Sequence, residues 1–181
     1  GKTAFALNLA RNAAVEFNEP VAFFSLEMTS MELLDRLIAT ESGISSDKLK
    51  GKLKLLPEEW QVLEQSVGRI VKAPIYIDET PGITLTEFVA KSKRLVREKG
   101  VKIIFVDYLQ LMHSGKPQLG GFSKVQEVTE ISNTLKTTAK ELNIPIIALA
   151  QLNRNLMSRM GSNGKPVLSD LKDSGSIEQD A

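Results

Sequence analysis

The chain has 181 residues, 42% of them hydrophobic and 25% charged, with a formal net charge of +1: the make-up of one globular domain with a sizeable core. It has no cysteine, which excludes disulfides and thiolate metal sites and fits a reducing compartment. No apolar run reaches the roughly 18 residues of a membrane helix, and a net charge so close to zero leaves any nucleic-acid binding to a local patch.

The chain opens on Gly1-Lys2-Thr3 and passes directly into an Ala/Leu-rich stretch, Thr3 to Phe17, that predicts a helix. Gly-Lys-Thr is the end of the phosphate-loop pattern G-x-x-x-x-G-K-[ST]. A helix N-terminus offers unpaired N–H groups and a positive dipole to phosphate oxygens. Lys2 would reach the terminal phosphates and the Thr3 hydroxyl would ligate Mg²⁺. On three residues alone, a surface lysine ahead of a helix accounts for the pattern equally well.

Next comes "VAFFS", Val21 to Ser25, short, apolar and rich in aromatic and β-branched residues, as a strand covered on both faces should be. Glu27 follows it and is a candidate general base for an attacking water. It is equally placed to stabilise a helix N-terminus at Thr29. Thr29 with Glu32, Thr84 with Glu87, and Ser123 with Gln126 match the capping-box spacing and mark three helix starts. Trp60, Leu63, Val67 and Ile70 recur at helical spacing. A second strand is predicted at "IYID", Ile75 to Asp78.

"KIIFVD", Lys102 to Asp107, is a third strand and ends in a carboxylate. Ligands bind at the carboxyl ends of strands in open α/β sheets, and in P-loop NTPases such an Asp helps hold the metal. An Asp that merely caps a turn is the plain alternative. His113, the one histidine, has no His or Cys partner nearby in sequence and reads as surface. Ser114 to Gly121 reads as a loop. Val125, Val128, Ile131, Leu135, Ala139 and Leu142 keep one apolar face for about five helical turns.

The last predicted strand is "IPIIALA", Ile144 to Ala150, followed by Gln151. An amide there can sense a γ-phosphate, or simply satisfy strand-end backbone groups. From Leu142 to Ser169 there is no Asp or Glu, while Arg154, Arg159 and Lys165 occur with Asn143, Asn153, Asn155 and Asn163. Asn153 to Pro166 reads as a loop; Lys172 and Gly175 extend it, with Asp170 and Asp173 diluting the charge. With no aromatic beyond Asn153, contact to a phosphate backbone fits better than base stacking. The alternation of helices and apolar strands predicts an α/β domain with a mostly parallel sheet flanked by helices.

"GKTAFALNLARNAA", "PVAFFSLEM", "KIIFVDYLQLM", "IPIIALAQLNR" and "LSDLKDSGSIEQDA", in this order, resemble the ATPase domain of the bacterial replicative DNA helicases, the DnaB-like hexameric family. The resemblance spans essentially the whole chain. It implies a RecA-like P-loop NTPase fold, a cytoplasmic homohexamer with ATP and Mg²⁺ between subunits, and single-stranded DNA threaded through the ring. It implies 5′-to-3′ unwinding, with a primase and a helicase loader as partners and no membrane. Gly1, Lys2 and Thr3 match the phosphate loop, Thr3 and Asp107 the magnesium-associated positions, Glu27 the catalytic glutamate, and Gln151 the γ-phosphate sensor. Lys172, Asp173 and Gly175 match loop positions that hold the DNA backbone, where the family usually has Arg-Glu-Ser-Gly; Lys172 keeps the charge without arginine's bidentate fork. The resemblance also implies an excerpt cut inside the phosphate loop and before the arginine finger, so that this stretch alone would hydrolyse ATP feebly. A RecA-like recombinase or clock-type ATPase, and a non-catalytic nucleotide-binding scaffold, are the alternatives. "SLEM" and "SDLKDSGSIEQDA" count against the first, and Lys2, Glu27 and Asp107 together against the second.

Overall fold

The computed structural model describes residues 1–115 and 124–151. Four strands, β1 (Val21–Ser25), β2 (Ile75–Asp78), β3 (Ile103–Asp107) and β4 (Ile146–Ala148), form one all-parallel sheet in the order β2-β1-β3-β4. Helix α1 (Lys2–Arg11) precedes β1; α2 (Ser30–Ser42), α3 (Ser46–Leu49) and α4 (Pro57–Lys72) lead to β2; α5 (Leu85–Lys99) leads to β3, and α6 (Lys124–Leu142) to β4. This is the expected α/β class, with helices on both faces of a parallel sheet.

Strand side chains alternate between faces, and the two cores follow that period. Val21, Phe23, Ile103 and Phe105 pack toward α1, α2 and α4 with Ala6, Leu7, Leu33, Leu37 and Ile70. Ala22, Phe24, Ile104 and Val106 pack toward α5 and α6 with Phe88, Val128 and Ile131. On the first face Phe23 stacks on Phe105 at 5.7 Å between ring centroids; on the second Phe24 meets Phe88 at 4.8 Å. Such ring pairs contribute about 0.5–1.5 kcal/mol each beyond area burial. β1 is buried along its whole length and β3 nearly so, whereas the outer strands β2 and β4 are only half-buried. Coverage on both faces therefore holds for the central pair alone.

Local chemistry sets the element ends. The capping boxes Thr29–Glu32 and Thr84–Glu87 are both formed; Ser123 lies outside the described residues. α2 and α5 stop at Gly43 and Gly100, whose φ values of 69° and 66° suit glycine, which carries no Cβ to clash there. The predicted helix from Thr3 to Phe17 divides into α1 and a π-helical turn over Asn12–Glu16. That wider turn lets Arg11 reach Glu16, five residues on, at 2.7 Å. β4 is shorter than "IPIIALA" because Asn143 adopts a left-handed conformation, Pro145 has no N–H to give, and the Leu149 carbonyl accepts from Leu109 N–H, beyond β3. On α4 the apolar stripe is only partly used: Ile70 is buried, Leu63 and Val67 are half-buried, and Trp60 is exposed. Val125 on α6 is exposed as well.

Candidate functional site

Asp107 ends β3 two residues after Phe105, so its side chain leaves the sheet on the α1 face. Its register partner on β1 is Ser25, and Leu26 N–H donates to the Asp107 carbonyl at 2.9 Å. Glu27 therefore stands two residues past the partner of Asp107, at the same carboxyl edge of the sheet.

The turn that carries Glu27 is fixed from below by the Ser25 hydroxyl, which donates to the Met28 carbonyl at 2.6 Å. Beyond it, the first N–H groups of α2 are already served. Thr29 Oγ accepts from Glu32 N–H, the Glu32 carboxylate accepts from Thr29 N–H at 3.0 Å, and Glu79 accepts from Ser30 N–H. The Thr29 N–H, followed by its hydroxyl, holds the Glu32 carboxyl below the usual glutamate range. Capping thus falls to Glu32 and Glu79, not Glu27. Glu27 is exposed and makes no hydrogen bond or ion pair among the described residues.

Helix α1 brings the Gly-Lys-Thr segment to this edge. Ala6, Leu7 and Ala10 bury one side of α1 against the sheet, and its N-terminus points at the carboxyl ends of the strands. No acid lies in its first turn, which suits an anion at that end of the helix dipole. Thr3 is 8% exposed. The Lys2 ammonium lies 3.5 Å from the ring centre of Tyr108, the residue after Asp107. Lys2 Nζ and both Asp107 carboxylate oxygens are buried without a hydrogen-bond partner.

Those three orphaned polar atoms are the test of what fits here. A buried unsatisfied group costs about 1–3 kcal/mol, and more when charged. A triphosphate would give Lys2 its acceptors. Mg²⁺, which binds through one or two carboxylates plus substrate phosphates, would satisfy Asp107, with Thr3 Oγ as a second protein ligand. The donor set fits both.

Gln151 emerges beside the same edge and is exposed. Its main chain is held by the Gln110 side chain: Gln110 Nε2 donates to the Gln151 carbonyl at 3.3 Å, and Gln151 N–H donates to Gln110 Oε1 at 3.2 Å. The backbone is thereby pinned while the Gln151 amide stays available. Asn143 sits at the other end of the sheet, ahead of β4, as the left-handed residue that ends α6. The start of the acid-free stretch is therefore structural. Arg154, Arg159, Lys165, Lys172, Asp173 and Gly175 lie outside the described residues, as does the Asn153 to Pro166 loop. His113 is exposed, as expected, although its backbone bridges to Thr84.

Sequence reasoning missed Tyr108 and Gln110. Both follow β3 directly, in "VDYLQ", which is the one signal that points to them. It also missed the support behind the site. Glu41, on α2, is buried between Arg11 of α1 and Arg69 of α4, with Arg11 Nε and Arg69 Nη1 each 2.6 Å from a carboxylate oxygen. Glu41 is the buried member of this set and Arg69 the exposed one, and through Arg11 and Glu41 the helix that starts at Lys2 and the helix that starts after Glu27 are tied together at their far ends.

A groove of about 820 Å³ between α5 and α6, lined by Thr84, Val89, Lys93, Glu130 and Thr134, opens on the opposite face of the sheet. It contains none of Lys2, Thr3, Glu27, Asp107 and Gln151.

Comparison with known proteins gives the family. All of residues 1–181 match the model of the DnaB-like helicase C terminal domain. The chain is 46% identical to the replicative DNA helicase DnaB of Geobacillus stearothermophilus and 45% identical to the replicative DNA helicase DnaC of Bacillus subtilis (strain 168), in each case over 100% of this chain and 39% of the relative. It thus spans about two-fifths of the length of these curated relatives. Among solved structures it superposes on a DnaB-like replicative helicase, described with its interactions with primase, with a TM-score of 0.89 at 36% identity, covering 100% of this chain and 42% of that one. A second solved structure, described as an ATPase domain, gives the same TM-score and identity over 63% of its chain. The fold is the RecA-like ATPase core of those helicases, and the chain belongs to the DnaB-like helicase C-terminal domain family.

Proposed function

We propose that this chain is the motor of a replicative DNA helicase, hydrolysing ATP to move along single-stranded DNA and part the duplex. The observation that carries the reading is the buried, unpartnered trio of Lys2 Nζ and the two Asp107 oxygens, with exposed Glu27 at the same sheet edge. A turn cap would not need that arrangement; a magnesium–triphosphate would complete it.

In this reading Gly1, Lys2 and Thr3 take the phosphates at the α1 N-terminus. Thr3 Oγ and Asp107 would hold Mg²⁺, which would supply positive charge to offset that of the triphosphate. Glu27 orients a water and accepts its proton as the water oxygen attacks the γ-phosphorus and the bond to ADP breaks. Lys2 neutralises charge that builds on the transferring group. Gln151 contacts the γ-phosphate and reports its loss to the segment that follows. That segment, with Arg154, Arg159, Lys165, Lys172, Asp173 and Gly175, grips the DNA backbone.

We extend to this chain what the resemblance implies: a homohexamer in the bacterial cytoplasm, served by a primase and a loader and running 5′ to 3′. The relatives matched here carry helicase names, and nothing favours a recombinase, a clock-type ATPase or a scaffold. The deciding experiment is Glu27→Gln in the complete protein. Magnesium–nucleotide binding should persist while ATP turnover and fork unwinding fall by orders of magnitude. Unchanged turnover overturns the reading. Forks tailed on one strand only should be opened from the 5′ tail.

A further inference from the structure

Tyr108 is the residue against which Lys2 rests, and nothing in the phosphate-loop chemistry calls for an aromatic there. The Lys2 ammonium is 3.5 Å from the ring centre and is buried with no hydrogen-bond acceptor. A buried ammonium without a partner is strongly disfavoured; the negative face of an aromatic ring stabilises it electrostatically. The ring does so without the lone pair that a carboxylate would offer, so the N–H donors of Lys2 remain available for phosphate oxygens. The backbone that carries the ring is also held in place. Leu111 N–H donates to the Tyr108 carbonyl at 3.1 Å, and the next residue, Leu109, donates its N–H to the Leu149 carbonyl at 3.0 Å.

We propose that Tyr108 is a positioning residue that holds the Lys2 ammonium within the nucleotide site, aimed at the incoming phosphates, through the face of its ring. This rests on the site reading above. Binding then incurs little cost for ordering a long, flexible side chain. The property needed is an aromatic face, and the hydroxyl contributes nothing to it.

The test uses the complete protein, a fluorescent ADP analogue with Mg²⁺, and acylation of lysines in the nucleotide-free state read by mass spectrometry. Wild type and Tyr108→Phe should bind the analogue alike. Tyr108→Leu should bind it about 3- to 30-fold more weakly, the range that a partly to fully desolvated cation–π contact spans, and its Lys2 should be acylated several-fold faster. In wild type Lys2 should react more slowly than Lys52, whose side chain is 69% exposed; that comparison needs no variant. If Tyr108→Leu binds and reacts like wild type, or if wild-type Lys2 reacts as fast as Lys52, the Tyr108 assignment falls and the nucleotide site stands. If wild type does not bind the magnesium–nucleotide at all, the site reading falls and takes the assignment with it.

Discussion

Ser25 and Asp107 are register partners across β1 and β3, and this pairing brings Glu27 and Asp107 to one edge. The two acids are 80 positions apart in the sequence, yet Glu27 stands just past one buried apolar strand and Asp107 ends another. Parallel pairing turns those two strand ends into neighbours. The two acids differ in burial: Asp107 is fully buried, while Glu27 stands in solvent.

Burial of Asp107 without a partner makes a prediction about stability with an unusual sign. Asp107→Asn replaces a buried carboxyl that has no hydrogen-bond partner by an amide, which costs less to bury, so the nucleotide-free domain should gain about 1–3 kcal/mol. A gain of that size raises the unfolding midpoint by several degrees, at about 2–4 °C per kcal/mol for a domain of this length. Magnesium–ATP should raise the midpoint of wild type and leave that of the variant unchanged. Thermal unfolding with and without magnesium–nucleotide checks both halves.

Asp78, at the end of β2, carries a pH dependence. Burial pushes its carboxyl up, but hydrogen bonds from Lys91 Nζ at 2.6 Å and from Thr80 N–H at 3.0 Å, with the Lys91 charge, outweigh burial and hold it below the usual aspartate range. A lowered folded-state pKa contributes stability above the unfolded aspartate range, and that contribution is lost as pH falls through the folded value. Lys91→Met leaves burial unopposed by the lysine. Acid unfolding should then begin at higher pH than in wild type, with about 0.5–1 kcal/mol lost at neutral pH, as for a partly exposed pair. Acid titrations followed by circular dichroism read the shift.

Much of this molecule is legible from its letters, and the exceptions share a cause. β1 and β2 begin and end where their apolar runs do, and two capping boxes form where Thr and Glu stand three apart. These features are written locally. Lys2, Thr3, Glu27, Asp107 and Gln151 stand out because helix starts and strand ends are where α/β sheets bind ligands. Gln110 does not, because its value lies in a bond to Gln151, 41 residues away. Tyr108 does not, because an aromatic after a strand reads as core until Lys2 is seen above it. Trp60 misleads in the other direction: helical spacing says which side chains share a face, not whether that face is covered.

The segment beyond Gln151 yields a prediction from charge alone. Lys172→Ala in the complete protein should weaken binding of single-stranded DNA about equally across sequences. The slope of log affinity against log salt should shrink by about 0.7, the value of one phosphate contact on a single strand. Equilibrium binding of oligonucleotides of different sequence over a salt series measures both. A loss confined to certain sequences would mean that Lys172 reads bases.

Gln110 offers the sharpest test of how Gln151 works. Its side chain both donates to and accepts from the Gln151 main chain, so Gln110→Leu removes two hydrogen bonds while nearly keeping the volume. At about 0.5–1.5 kcal/mol each, the loss of stability should be near 1–3 kcal/mol, small enough for the protein to remain folded. Lys2, Thr3 and Asp107 are untouched by the change, so affinity for magnesium–nucleotide should stay close to wild type. What should suffer is placement of the Gln151 amide relative to the γ-phosphate. Single-stranded DNA should therefore stimulate ATP turnover less in Gln110→Leu than in wild type, with the DNA-free rate little altered. Equal stimulation in the two proteins would mean that the Gln151 backbone needs no such anchor and that any sensing depends on its side chain alone.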